Sequence, residues 1–306
     1  MFSEETIKIE SEGSATTTER AAMPARQLRY NALLVLITMI WGSTFLVVKY
    51  TVQLSGPFTY IAFTYSVATL MVVIIFRRHL VRITRAEIRK GLIIGMFLFA
   101  GYALQTTGLQ FTTVSKAGFI TGLNVPLVPV FLLLFLRQKP SPVAILGILL
   151  SFVGLILLSL NNQFTLSIGV GELLIFGAAV AFAMHIVNIS RFSAGADTTN
   201  LVIIQLGLVS ILSFIFIPIT REPLLVPSWS FWIAVLLMGA FDVAFTLTVM
   251  NRVQQFIGST RAALIYALEP VWAALAGLLL AGDVLSIPAW IGCGCILTAM
   301  VIGRLG

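Results

Sequence analysis

Charged side chains are scarce in this chain of 306 residues: they make up 10% of it, whereas hydrophobic residues make up 58%. Soluble globular domains carry about a quarter charged residues, so the composition excludes that class. The mean hydropathy of +1.02 indicates a polytopic helical membrane protein. The 24 glycines and 11 prolines agree with this class, because membrane helices tolerate both residues better than soluble helices do.

The sequence also lacks the patterns of several functional classes. Its two cysteines, Cys293 and Cys295, lie two residues apart in one apolar segment. Such spacing points them to roughly opposite sides of a helix and excludes a zinc site or a disulfide between them. No nucleotide-binding loop, metal-ligand cluster or nucleophile elbow is present. We therefore predict no enzyme, no catalytic residues, no metal, no cofactor and no ATP-driven step.

The N-terminal residues 1–29 are polar and rich in Glu and Thr, without the apolar core of a signal peptide. Their composition predicts a disordered cytoplasmic tail. Ten apolar segments follow, each about 18 to 25 residues long and so able to cross a hydrocarbon core of about 30 Å. They lie near 31–51, 56–76, 91–111, 114–136, 141–160, 169–190, 199–219, 229–250, 257–281 and 286–304.

Lysine and arginine are distributed unevenly between the loops. With the N-terminus inside, the basic stretches 77–90 and 137–139 fall on the inner side, whereas the outer loops hold only Arg221. The positive-inside rule then predicts a multi-pass protein of the inner (cytoplasmic) membrane with both termini in the cytoplasm. Because the basic residues lie in these short loops, the net charge of +7 does not indicate a nucleic-acid partner.

An internal repeat appears when the chain is shifted by 145 residues, which sets 115–141 on 260–286. Five spans in each half is an odd number, so the second half is turned upside down relative to the first. We predict an all-α integral membrane fold of ten transmembrane helices, built as two five-helix inverted repeats over 30–162 and 163–306. This architecture is typical of transporters.

Four motifs carry a family resemblance: "WGSTF" (41–45), "VSKAGFITGLNVPLVPV" (114–130), "LGILLSFVGLILLS" (146–159) and "STRAALIYALEPVWAALAGLLLAGDVLS" (259–286). In this order and spacing they resemble the drug/metabolite transporter superfamily and, within it, the EamA-type family of ten-helix carriers. The resemblance covers nearly all of the chain between its two termini. It implies transport of amino acids, metabolites or toxic compounds.

Glu269 is the first candidate site residue, because a carboxylate near the bilayer midplane costs about 3 kcal/mol on insertion scales. The following Pro270 lacks an N–H, which deprives the carbonyl four residues earlier of its helical partner. In the repeat register Asn124 matches Glu269, and Pro126 and Pro129 interrupt that helix as well. Two broken helices predict a binding site at the repeat interface. The alternative is a structural kink in which Glu269 bonds to a neighbouring helix.

The other candidates are polar or aromatic residues within the spans. Asp242 and His185 are candidates for carrying a proton or countering a substrate charge, with plain packing as the alternative for His185. Lys116 and Arg261 match in the repeat and are predicted to guard opposite mouths, with snorkelling to the interface as the alternative. The predicted aromatic lining of the cavity is Trp41, Tyr102, Tyr266 and Trp272, with a lipid-facing or packing role as the alternative for each of them.

These observations predict a secondary transporter that exports small metabolites, amino acids first, by alternating access around a midplane cavity. Spans 1, 3, 4, 6, 8 and 9 are predicted to line the cavity. Toxic-compound efflux and metabolite uptake are the alternatives within this class. A membrane enzyme or lipid-handling protein would need clustered catalytic groups, which this sequence does not contain. A receptor or scaffold would need loop surface for partners, and the loops here are short. The expected partners are a small-molecule substrate, the lipid bilayer and protons as a candidate coupling ion, with the protein a monomer or homodimer.

Overall fold

The computed structural model describes residues 3–78, 83–112, 114–159, 169–276, 278–279 and 286–302. Side chains are described throughout these ranges except at 3–26, 115–116, 158–159, 289 and 300. Every regular element within the ranges is helical: thirteen α-helices, a π-helical segment at Met238–Phe245 and π-helical residues at 278–279, with no strand. The predicted all-α class is confirmed for this part of the chain.

The helices follow one another with short turns. The first half contains α1 Ser3–Ser55, α2 Pro57–Ile75, α3 Arg85–Gly108, α4 Val114–Gly122, α5 Asn124–Leu136 and α6 Pro142–Ser159. The second half contains α7 Val170–Ser193, α8 Thr198–Thr220, α9 Trp229–Leu237, the π segment Met238–Phe245, α10 Thr246–Ile257, α11 Ser259–Tyr266, α12 Glu269–Ala276 and α13 Ile287–Ile302. The elements from α9 to α10 form one uninterrupted helical stretch.

The first helix includes most of the N-terminal segment, since α1 begins at Ser3. The segment contains many Glu, Ala and Arg residues, which favour helix. The apolar part of α1 that is long enough to span a membrane begins later, at Gln27.

Seven helical stretches of the described residues are long and apolar enough to cross a membrane, and they coincide with predicted spans 1 to 4 and 6 to 8. They are Gln27–Ser55, Pro57–Ile75, Arg85–Gly108, Ala117–Leu136, Val170–Ser193, Thr198–Thr220 and Trp229–Ile257. Two shorter apolar helices, Pro142–Leu157 and Trp290–Ala299, lie where the fifth and tenth spans are predicted. The predicted ninth span is divided between α11 and α12.

Large apolar side chains cover the outside of these helices. Ile74, Leu134, Ile219 and Phe241 are each between 61% and 68% exposed. Soluble proteins rarely expose contiguous apolar surface on this scale, because water penalises it. Lipid chains do not penalise exposed apolar side chains. These side chains and the apolar helices together therefore identify a multi-pass membrane protein.

The helix contacts of the two halves correspond to one another. In the order of the chain, α1 corresponds to α7, α2 to α8, α3 to the stretch from α9 to α10, α4 and α5 to α11 and α12, and α6 to α13. Two contacts, α2 with α8 and α6 with α13, join a helix to the corresponding helix of the other half. Contacts between α3 and α7 match those between α10 and α1, and contacts between α5 and α7 match those between α12 and α1. Corresponding pairs of helices are therefore in contact when the two halves are exchanged.

Each half has one membrane helix that is broken at the same repeat position. The first break is at Leu123, after which α5 begins at Asn124, and the second is at Leu268, after which α12 begins at Glu269. The amides of the two break residues both donate to the carbonyl three residues earlier, at 3.1 Å and 3.0 Å. Such tight turns end one helix and allow a second to start in a new direction. The predicted pair of broken helices is present.

The prolines do not all act as the sequence suggests. Pro126 and Pro270 lie in the first turns of α5 and α12, where backbone amides have no intrahelical partner in any case. Only Pro129 lies further inside its helix. Pro126 and Pro270 are therefore compatible with helix starts, and the breaks themselves lie two or three residues before them.

Two carboxylates, the capping carboxylates Glu87 and Glu222, join the halves at helix starts. Glu87 accepts hydrogen bonds from the Asp197 amide at 2.9 Å and the Asn200 side chain at 3.2 Å, at the beginning of α8. Glu222 accepts from the Thr59 amide at 2.7 Å, in the first turn of α2. Free amides at a helix N-terminus attract negative charge, so each carboxylate stabilises a helix of the other half.

Replacing Glu222 with Ala removes the acceptor of the Thr59 amide, and we expect the free energy of unfolding to fall by about 1–3 kcal/mol. The loss should appear as a lower melting temperature of the purified protein in detergent. Leu225→Ala is the control, because Leu225 lies in the same loop and is 79% exposed. Equal melting temperatures for both variants would contradict the capping role.

Candidate functional site

A central cavity lies between the halves and is lined by α1 to α5, α7, the π segment and α10 to α12. Spans 1, 3, 4, 6, 8 and 9 line it as predicted, and α2 also contributes, which the sequence analysis did not predict. Seven predicted site residues contribute to this lining: Trp41, Tyr102, Asn124, His185, Asp242, Tyr266 and Glu269.

Asp242 reaches the cavity from the π segment, whose wider turn re-aims side chains relative to an α-helix. It is 4% exposed, and the Thr44 hydroxyl donates to its Oδ1 at 2.8 Å. The indole Nε1 of Trp41 donates to the backbone carbonyl of Asp242 at 3.2 Å and to the Thr246 hydroxyl at 3.1 Å. The carboxylate and the backbone around it are therefore both fixed by α1.

Glu269 and Asn124 face the cavity from the first residues of α12 and α5. Within the described part of the chain, the Glu269 side chain is half-buried and makes no hydrogen bond. Asn124 is 6% exposed, and its Oδ1 has no hydrogen-bond partner among the described atoms. Buried polar atoms normally have partners, so these two groups are available to a ligand. The alternative of a kink in which Glu269 bonds to a neighbouring helix is not what this geometry shows.

His185 and Tyr266 contact the cavity but are also held by amide side chains. The His185 ring Nε2 donates to Gln205 Oε1 at 3.0 Å, and the Gln205 amide donates to Asn251 Oδ1 at 3.0 Å. The Tyr266 hydroxyl donates to Gln254 Oε1 at 3.2 Å. His185 is thus the hydrogen-bonded residue that the packing alternative predicts, although its ring also lines the cavity.

Aromatic rings form much of the remaining lining. The rings of Trp41 and Tyr266 have centroids 5.7 Å apart. Tyr102 contacts Tyr65 and Phe182 edge-on, at 5.3 Å in each case. Rings in mutual contact have few rotamers open to them, so the aromatic surface is preorganised for a flat or cationic group.

Three predicted site residues are placed differently or lie beyond the description. Trp272 does not line the cavity: its Nε1 donates to the Thr38 hydroxyl at 3.2 Å, because the break before α12 rotates it away from the face of Tyr266. Arg261 is half-buried on α11 and is not among the cavity-lining residues. Lys116 lies on α4, and its side chain lies outside the described residues.

The structure adds lining residues that sequence reasoning missed. Tyr60 and Tyr65 of α2 both line the cavity. Like Tyr102, each is a tyrosine inside an apolar span, so the sequence carried a usable signal for them. Gln105 and Thr121 also line the cavity and are joined by a 3.0 Å hydrogen bond. Among the described residues, no three His, Cys, Asp or Glu side chains come together in a way that could hold a metal ion.

The contact between α1 and α12 depends on Gly42, which follows Trp41. A Cβ at this position would lie 2.5 Å from the carbonyl oxygen of Glu269 and 2.6 Å from the Cβ of Trp272. Neither atom is the end of a flexible side chain, so no local adjustment accommodates a methyl group. Only glycine brings the two helices close enough to place Trp41 and Glu269 on one cavity.

Comparisons with known proteins agree with this architecture. The profile of the EamA-like transporter family matches the chain twice, over residues 28–160 and 169–303. An uncharacterized transporter of Archaeoglobus fulgidus is 31% identical over 273 residues, covering 89% of this chain and 84% of the relative. The uncharacterized transporter YyaM of Bacillus subtilis is 26% identical, covering 80% and 84%. A solved crystal structure shares the fold, with a TM-score of 0.71, 19% identity and coverage of 90% of this chain and 97% of the other.

An alanine at position 42 must push α1 away from α12, and we expect Gly42→Ala to destabilise the protein by about 1–3 kcal/mol. Gly294→Ala is the matched control: nothing lies within 4 Å of an added Cβ there, and alanine favours helix. Thermal melts of both purified variants measure the difference. Equal melting temperatures would show that the α1–α12 contact does not depend on the glycine.

Proposed function

The chain belongs to the EamA-like transporter family, and we propose that it is a secondary transporter that exports small metabolites by alternating access around the central cavity. The observation that carries this proposal is the pair of broken helices, whose first residues Asn124 and Glu269 face one cavity between the halves. Carriers with repeated halves bind their substrates at such breaks. Amino acids are the first cargo class that the family resemblance suggests.

The proposal includes the ten-span inverted architecture, with both termini on the cytoplasmic side of the inner membrane. Three features support it. The breaks coincide in the repeat register, the helix contacts correspond when the halves are exchanged, and the family profile matches each half separately. In an inverted repeat such exchange converts an outward-open state into an inward-open one. One binding site then serves both sides of the membrane.

Coupling follows from the cost of moving charge through an apolar medium. With Asp242 and Glu269 both ionised and unaccompanied, a closed cavity would hold two uncompensated negative charges. A bound cation or a proton removes that penalty. The cavity therefore changes sides when the carboxylates carry either substrate or proton, which couples the flux of one to the counterflow of the other.

We expect Glu269→Gln and Glu269→Ala to abolish or uncouple transport, because neither side chain binds or releases a proton. Flux into proteoliposomes with and without a pH gradient measures this, scaled to the amount of folded protein. Glu222→Ala is the control, since it removes a carboxylate outside the cavity and should retain transport per folded molecule. Full activity of both Glu269 variants would rule out the central role of this residue.

The direction and the cargo are tested in cells. Overexpression of an exporter should deplete one intracellular compound and enrich it outside, whereas deletion should have the opposite effect. Untargeted metabolite profiling of both strains against the parent strain measures this. Intracellular accumulation on overexpression would instead indicate uptake, and unchanged profiles in both strains would count against metabolite transport.

A further inference from the structure

The charged side chains that line the central cavity in the described part of the chain are all acidic. The described lining residues include two carboxylates, Asp242 and Glu269, and neither lysine nor arginine. Asp242 already has the Thr44 hydroxyl as a donor, whereas Glu269 makes no hydrogen bond among the described residues. A carboxylate without a donor in a half-buried position favours a ligand that brings positive charge. Glu269 is therefore the open anionic group of the site.

A second acceptor lies on the matching broken helix. Asn124 is more than nine-tenths buried, lines the same cavity and has an Oδ1 without a partner among the described atoms. An unpaired acceptor needs an N–H or O–H from a ligand. An ammonium group carries three N–H donors and no acceptor, so it suits both Asn124 and Glu269.

Several hydrogen-bond donors of the cavity are already bonded within the protein. The Trp41 indole donates to the Asp242 carbonyl and the Thr246 hydroxyl. The Thr44 hydroxyl donates to the Asp242 carboxylate, and the Gln105 amide donates to Thr121. The hydroxyls of Thr64 and Tyr65 on the lining have no partner among the described atoms, but a ligand carboxylate would meet two acids and no lysine or arginine of the described lining. Burying a charge without a partner of opposite charge is costly, so the site disfavours a carboxylate on the ligand.

The aromatic rings of the lining add a preference for the body of the ligand. The paired rings of Trp41 and Tyr266 and the cluster around Tyr102 provide aromatic faces on the cavity. Aromatic faces attract cations and also pack against flat apolar groups. A ligand with an ammonium group at one end and an apolar ring at the other satisfies all these contacts.

We propose that the cavity selects organic ammonium ions with a flat apolar body, and that it prefers an amine to the corresponding amino acid. The proposal rests on the transport function above and narrows its substrate class. Glu269 is the counter-ion of the ammonium group, Asn124 accepts one of its N–H bonds, and the aromatic rings contact its body. Glu269 and Asn124 are accordingly specificity-determining residues.

The test uses three probes that share an indole ring: tryptamine, tryptophan and indole-3-propionate. Binding to the purified full-length protein is measured by isothermal titration calorimetry. We expect tryptamine to bind at least about tenfold more tightly than tryptophan, and indole-3-propionate not to bind, because a buried charge without a partner costs several kcal/mol. Tryptophan binding as tight as tryptamine, or no binding of tryptamine, would overturn the proposal.

Variants separate the proposed contacts from a change in folding. Glu269→Gln should weaken tryptamine at least about tenfold, whereas Glu222→Ala should leave its affinity unchanged. Asn124→Leu, of similar size but without an acceptor, should weaken tryptamine about three- to tenfold and tests the site if the Glu269 variant does not fold. Wild-type affinity in both cavity variants would contradict the assigned contacts.

Failure of the amine preference can be distinguished from failure of the proposed transport function. A preference for tryptophan that disappears in Lys116→Met would assign the ligand carboxylate to that lysine and overturn the amine preference. Metabolite profiling that identifies an exported amino acid would likewise retain the transporter and reject the amine. A missing flux phenotype, by contrast, bears on the transport function whatever the probes bind.

Discussion

A bilayer offers no hydrogen bonds, so every polar group that this chain buries must find its partner inside the protein or in a ligand. This constraint explains where the polar residues lie. Leucine, isoleucine and phenylalanine cover the outside, whereas Asp242, His185 and Gln205 are buried. Asp242 accepts a hydrogen bond from Thr44, and His185 donates one to Gln205. The capping carboxylates satisfy amides at the starts of α2 and α8. The helices are thus arranged so that most buried polar groups receive a hydrogen-bond partner.

Two of the polar groups without a partner lie at the breaks of the membrane helices. Asn124 and Glu269 begin the second parts of the broken helices, and both have polar atoms that nothing in the described chain satisfies. A broken helix is tolerated at membrane depth where it borders a cavity rather than lipid. The unsatisfied atoms, the breaks and the cavity therefore belong to a single feature, shared equally by the two halves.

The sequence predicted what local composition controls. Apolar runs located the spans, and the polar residue followed by proline located both breaks, because each pattern can be recognised within a few residues. Features that depend on packing were missed. The π segment that presents Asp242 packs against α2, and Trp272 is turned toward Thr38 after the break before α12. The tyrosines of α2 were missed although their own span carried a usable signal.

Gly42 has a mechanical consequence. The backbone of α1 at Gly42 lies directly against the backbone of α12 at Glu269 and Ala273, with no room for a side chain between them. Surfaces in such close contact move as one rigid body, so Trp41 and Glu269 keep their spacing whichever way the protein tilts. In the proposed transport cycle α1 and α12 would therefore move together, and the ring of Trp41 would stay beside the carboxylate of Glu269.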